Sequence, residues 1–388
     1  MKDTIKERNL KSLRNLLPED ELINRGVIFN QLPHLLMIYS GLSESKSHFQ
    51  LQVKRTLKDD PDLTSDGQFY RKSRDGSLSR EDIRKSFNEL VHPELIEKHM
   101  AFLDFYVNNS KSIGGWCFLD SLVKGAKSSY KSPELQGYLD FILFICDSEK
   151  KYICTLNDNP SNGNRPLLNE LSQHWLCLPE NHFDELTGEN QVQYLIAQVL
   201  LWAALFEHFL IIDQPALVKN ATDHESPFTF NKYTPEINQA DKLLFSVEVF
   251  LERFKNMWGK SKHFKDKISW NLLYRDIVKA IAENTPDDLE HDPENIKKQF
   301  YYWRSGKSPL TIKSFKKKIA VLYKSNDDFD KLDCTQMIIP FIQLFDSIQR
   351  ILIKEGLPHE YIVKQFERYP IYLDLVSLRY KQFCETKL

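Results

Sequence analysis

Apolar residues along this chain recur mostly at three- and four-residue spacing, which places them on one side of a 3.6-residue helix. Residues 4–16 predict a charged helix with a thin stripe of Ile5, Leu10 and Leu13, stopped by Pro18. From Leu22 to Tyr39 the apolar positions are dense enough for a buried face, which Pro33 kinks or divides. Residues 43–82 are polar and read mainly as loop. Ser79 is the expected N-cap of a helix over 80–90, and Pro93 opens another over 93–109. Ser132-Pro133-Glu134 begins a helix over 133–147, and Lys151 to Leu156 reads as a short strand.

The run Asn157 to Pro166 is a concentrated loop signal and marks a domain boundary. Residues 191–212 are the most apolar segment, approaching the length of a membrane span. Gln193, Gln198, Glu207 and His208 interrupt it and basic flanks are missing, so it reads as a central core helix with no membrane partner. A long amphipathic helix is expected from Pro235 to Trp258. Shorter ones follow over Ile268 to Glu283, from Asp292 to Ser305, and after a cap at Ser308 or Thr311. The chain closes with Thr335 to Lys354 and His359 to Phe383, joined by Gly356-Leu357-Pro358.

The fold class is therefore all-α and multi-domain. The expected division is an N-terminal helical domain at 1–156, a central one at 167–260, a small three-helix unit at 268–324 and a C-terminal helical pair at 333–388. A length of 388 residues fits several cores better than one, and only 13 glycines favour helix over many-turned β structure.

Charge changes this picture at one place. Residues 295–326 hold nine lysines and arginines, six aromatics and no acid, leaving −11 on the remainder of a chain whose formal total is −2. A basic island on an acidic body is an electrostatic address for a polyanion. In the helix from Asp292, Ile296, Phe300 and Trp303 share the inner face, and in the next one Ile312, Phe315, Ile319 and Leu322 do. The outward groups then form a candidate nucleic-acid-binding set: Asn295, Lys297, Lys298, Gln299, Tyr301, Tyr302, Arg304, Lys307, Lys313, Lys316 and Lys317. Lysines and arginines neutralise phosphates, and amides and amines read base edges. Tyr301 and Tyr302 either stack on bases or pack against neighbouring helices.

The segment Asp292 to Pro309, DPENIKKQFYYWRSGKSP, resembles the recognition helix and following turn of lambda-repressor-like (XRE-type) helix-turn-helix domains. In that family a Trp-x-x-Gly-(Lys/Arg) element closes the helix and a proline opens the next; Trp303, Gly306, Lys307 and Pro309 occupy those places. Tyr274 to Ala282 would stand for the preceding helix. The resemblance covers 268–324 and implies DNA as partner. Residues 283–291 make the turn longer and more acidic than in that family, which favours phosphate binding over base reading.

Other chemistry is thin. Arg71 to Asp82 superficially resembles a calcium-binding loop, but Arg71 and Ser73 stand where a hard cation needs carboxylates. His174, Cys177 and His182 fit no common zinc spacing. There is no Gly-rich phosphate loop, G-x-S-x-G or H-E-x-x-H, so no metal, no cofactor and no catalytic residue is singled out. The six cysteines lack C-x-x-C pairing and read as reduced thiols. With no apolar core after the N-terminal charges, a cytoplasmic protein is expected. The leading function is nucleic-acid binding; such modules serve regulators and components of mobile-element or defence systems, and no residue chooses among these settings. The alternative is a helical interaction or scaffold protein whose basic face meets an acidic protein partner.

Overall fold

In a computed structural model of the protein, the described residues are 27–29, 130–158, 165–184, 187–213, 229–261, 268–284, 292–319, 322 and 329–387, with isolated positions between 32 and 127. The helices expected over 4–16, 80–90 and 93–109, the loop at Arg71 to Asp82 and most of 22–39 lie outside them. The protein is mainly helical, with one two-stranded sheet among the described residues. The described chain divides into two compact units, residues up to Val192 and residues 193–388.

The first unit contains α1 (Pro133–Asp158) and α2 (Arg165–Leu176). The expected strand at Lys151 to Leu156 is instead the last part of α1. A lone strand has no partner for its backbone groups, whereas a continued helix satisfies them internally. Glu149, fully buried on α1, accepts hydrogen bonds from the backbone N–H groups of Ile28 and Phe29. Asn169 locks the turn after α2, its Oδ1 accepting from Phe183 N at 3.0 Å and its Nδ2 donating to Asp184 at 3.0 Å.

The division falls within α3 (Gly188–Asp213), which is long and apolar enough to cross a membrane by length and composition. Of its most apolar window 72% is buried inside the protein, as a core helix requires. In the second unit Glu207 of α3 is 2% exposed and accepts from Phe230 N at 2.8 Å and the Tyr369 hydroxyl at 2.6 Å. Around it Phe230 meets Phe341 and Tyr369 at ring distances of 5.5 and 6.1 Å.

The amphipathic helix expected from Pro235 begins only at Ser246. Its first part is a hairpin, β1 (Glu236–Ile237) pairing antiparallel with β2 (Leu243–Leu244). Asn238 decides this: its side-chain oxygen accepts from the N–H groups of Ala240 and Lys242, both at 3.0 Å, offering the backbone a turn instead of a helix. Then follow α4 (Ser246–Ser261), α5 (Trp270–Asn284), α6 (Pro293–Ser305), α7 (Ile312–Lys318), α8 (Phe329–Lys354), α9 (His359–Phe366) and α10 (Tyr369–Lys387). The last two replace one expected helix, since Pro370 has no N–H to continue the ladder from α9. Residues 246–261, 268–284, 292–319 and 338–387 belong to one compact unit, in which α4 packs on α6 and α8, and α7 on α8. The segment expected as a separate three-helix unit therefore shares its core with the flanking helices.

Candidate nucleic-acid interface

The basic stretch is built from helix ends that its own sequence specifies. The Asp292 carboxylate accepts from Glu294 N at 2.9 Å, Pro293 fills a first-turn position, and Gly306 ends α6 at a φ of 69°. That left-handed residue lets Lys307 N donate to Tyr302 O at 2.9 Å and Gly306 N to Trp303 O at 3.1 Å. Thr311 rather than Ser308 caps α7, accepting from Ser314 N at 3.0 Å.

Ile296, Phe300 and Trp303 are all but completely buried, each stabilising the fold by about 1.5–3 kcal/mol. Phe300 meets Trp270 and Tyr274 of α5 at ring distances of 5.9 and 5.3 Å. Phe315 of α7 meets Phe250 and Phe254 of α4 at 6.0 and 6.4 Å. Of the four inward residues expected on α7 and after it, Phe315, Ile319 and Leu322 are buried and Ile312 is half-buried.

A second set of residues holds the stretch in place, and the sequence pattern did not single it out. Along one side of α8, Gln343, Asp346, Gln349 and Arg350 bond backbone or side-chain groups of other segments. Gln343 Oε1 accepts from Leu310 N at 2.7 Å, between α6 and α7. Asp346 Oδ1 accepts from Val247 N at 3.2 Å, and Gln349 bonds both Ser246 N and Ser246 Oγ, at 3.0 and 2.7 Å. These N–H groups open α4 and have no partner within their own helix, so α8 supplies the cap from a distance. Arg350 donates to Asp346 at 2.6 Å and to the Arg304 carbonyl at 2.8 Å. The left-handed φ requires glycine at 306, and a Cβ there, 2.5 Å from Arg350 Nε, would also push that guanidinium aside. Burial raises the Asp346 pKa, and the Arg350 guanidinium beside it works the other way. The signal available in the sequence was one polar residue per turn in an otherwise apolar helix.

The candidate residues divide by what they touch. Asn295, Lys297, Lys298 and Tyr301 are exposed on α6, Tyr302 is half-buried beside them, and Lys307 follows the turn. Lys297 lies 3.5 Å from the Glu294 carboxylate. The Lys307 ammonium sits 5.0 and 5.8 Å from the ring centres of Tyr301 and Tyr302, and the Lys298 ammonium 5.8 Å from Tyr302. Lys313, Lys316 and Lys317 are exposed on α7.

Two expected members do not belong to this face. Gln299 donates its amide to Ser308 Oγ at 3.2 Å, bracing the turn. Arg304 turns inward: it lies 4.0 Å from Glu248 and 3.9 Å from Glu252 of α4, and over the Trp270 ring at 4.9 Å. An acidic, aromatic recess draws a guanidinium in preference to solvent.

No family model matches the chain, no curated protein matches it, and no solved structure matches it. Among the described residues no three of His, Cys, Asp and Glu gather to hold a metal ion. His182 bonds the Asn190 carbonyl at 2.9 Å and His174 lies edge-on to Trp175 at 4.9 Å, so each imidazole is engaged in local packing.

Proposed function

We propose that the chain binds nucleic acid, DNA being favoured, through the outer face of α6, with the exposed lysines of α7 extending the field. The observation that carries this reading is the grouping of Lys298, Tyr301, Tyr302 and Lys307 on an outward surface whose opposite side is fully packed. Cations next to one exposed and one half-buried aromatic ring fit a polymer that presents phosphates beside flat bases. The likeness of 292–309 to the recognition element of lambda-repressor-like domains supports the same partner class. Gly306 and the packed Trp303 stand where that family has them.

The test is a salt titration of binding to labelled DNA, with Lys297→Glu and Lys298→Glu introduced together. Binding should weaken steeply with salt, each phosphate contact on duplex adding about 0.9 to the logarithmic slope. The double variant should lose binding and keep its helical spectrum. Salt-independent binding, or none at low salt, overturns the proposal. A second reading, an acidic protein partner, draws on Arg304, which already serves Glu248 and Glu252 of the same chain. Protein retained by wild type but not by the double variant, with no nucleic acid copurifying, would favour it.

A further inference from the structure

We infer that this face selects unpaired nucleic acid, stacking bases on Tyr301 and Tyr302 while Lys298 and Lys307 take the flanking phosphates. The inference rests on the nucleic-acid reading above and narrows it to single strands.

Bidentate reading of base edges in a duplex major groove is done best by guanidinium groups and amides, with lysine amines beside them. On α6 the Gln299 amide nitrogen donates to Ser308, which holds the side chain against the turn, and Arg304 faces Glu248 and Glu252. Asn295 is left as the one amide on the exposed face, at the start of the helix. Duplex reading loses two of its three best groups.

Tyr301 is 55% exposed, and its ring centre lies 6.0 Å from that of Tyr302 at a tilt of 53°. A duplex buries its base faces in the stack, so these rings would meet only sugars and phosphates there. A single strand offers base faces directly, each stack contributing about 1–3 kcal/mol with little regard for sequence. Lys307 already lies over both rings. A base arriving on Tyr301 displaces that ammonium toward the phosphate attached to the base.

The platform is also held rigid. Arg350 holds the α6 C-terminus at the Arg304 carbonyl, Gln343 holds the following turn at Leu310 N, and Gln299 closes it on Ser308. A platform fixed before binding loses little entropy when a base docks.

The experiment compares one labelled mixed-sequence DNA strand, alone and annealed to its complement, by fluorescence anisotropy with the full chain. Single strand should bind tighter than duplex. Tyr301→Ala should lower single-strand affinity about tenfold and leave duplex affinity nearly unchanged, while Tyr301→Phe, which keeps the ring, should behave as wild type. Tyr301 is exposed, so the fold should survive its removal, and an unchanged melting curve checks this. Duplex binding equal to or tighter than single strand, or an equal loss on both from Tyr301→Ala, overturns the selectivity and leaves the nucleic-acid proposal standing. No binding to either form at low salt overturns both.

Discussion

The outer face of α6 and the inner side of α8 are both polar stripes on helices of one compact unit, and they use polarity in opposite ways. On α8 Gln343 is 6% exposed, Asp346 1% and Gln349 0%, and each bonds a backbone N–H of another segment. Withdrawing such groups from water costs free energy that only well-formed hydrogen bonds offset, so their partners are fixed by the fold. On α6 Lys297, Lys298 and Tyr301 remain in water, and their nearest partners are neighbours on the same helix or its turn. Such contacts hold little of the fold together, which leaves these groups available to a ligand. A polar residue in a helix is thus informative about function only after its partner is known.

The contrast breaks most severely at Asp346. Asp346→Ala strands the Val247 N–H and takes the charge partner from Arg350, which should cost about 3–5 kcal/mol. Asp346→Asn keeps an acceptor for Val247 and should cost less. Urea unfolding of the three proteins measures this. A loss for Asp346→Ala below about 1 kcal/mol would show the stripe to be solvated after all.

A smaller effect is expected from Glu207, another buried carboxylate of this unit. Burial raises its pKa to about 7, against the opposing pull of the Tyr369 hydroxyl, the Phe230 N–H and the charge on Lys232. The folded protein therefore holds a proton that the unfolded chain releases near the ordinary carboxylate value. Its contribution to stability is complete below that value and is lost as pH rises toward 7. His208 beside it is shifted downward by burial and works in the other sense, losing stability as pH falls, so the informative quantity is a difference. Between pH 5 and 8 wild type should lose on the order of 2 kcal/mol relative to Glu207→Gln, read from paired unfolding curves. Parallel curves would mean that Glu207 is charged in the fold.

How much of this was legible in the sequence follows from how local each signal is. The caps Asp292 and Gly306 act on the next few residues, so their chemistry could be read directly, and so could the inward stripe of Ile296, Phe300 and Trp303. The start of α4 was hidden because Asn238 outcompetes a helical pattern that continues on either side of it. On α8 one polar residue per turn has the same period whether it faces water or a buried amide, so periodicity cannot separate Asp346 from a surface acid. Arg304 and Lys298 belong to one run of charge. Only the acids on α4, far away along the chain, distinguish them.

That last distinction yields the smallest predicted effect on stability and the sharpest on function. Lys298 is exposed and its ammonium lies 5.8 Å from the centre of the neighbouring Tyr302 ring, so Lys298→Ala should change stability by no more than about 0.5 kcal/mol. Arg304→Ala removes the cation lying over Trp270 and facing the buried Glu248, and should cost about 1–2 kcal/mol. For DNA affinity the order should reverse. Lys298→Ala weakens binding and flattens its salt slope, because a phosphate partner is lost. Arg304→Ala leaves both nearly unchanged, since its guanidinium is already committed to α4. Paired melting and anisotropy measurements on the two variants decide the matter. If Arg304→Ala weakens binding as much as Lys298→Ala, the inward arginine leaves its recess to meet the ligand, and the division between a structural and a binding side of α6 fails.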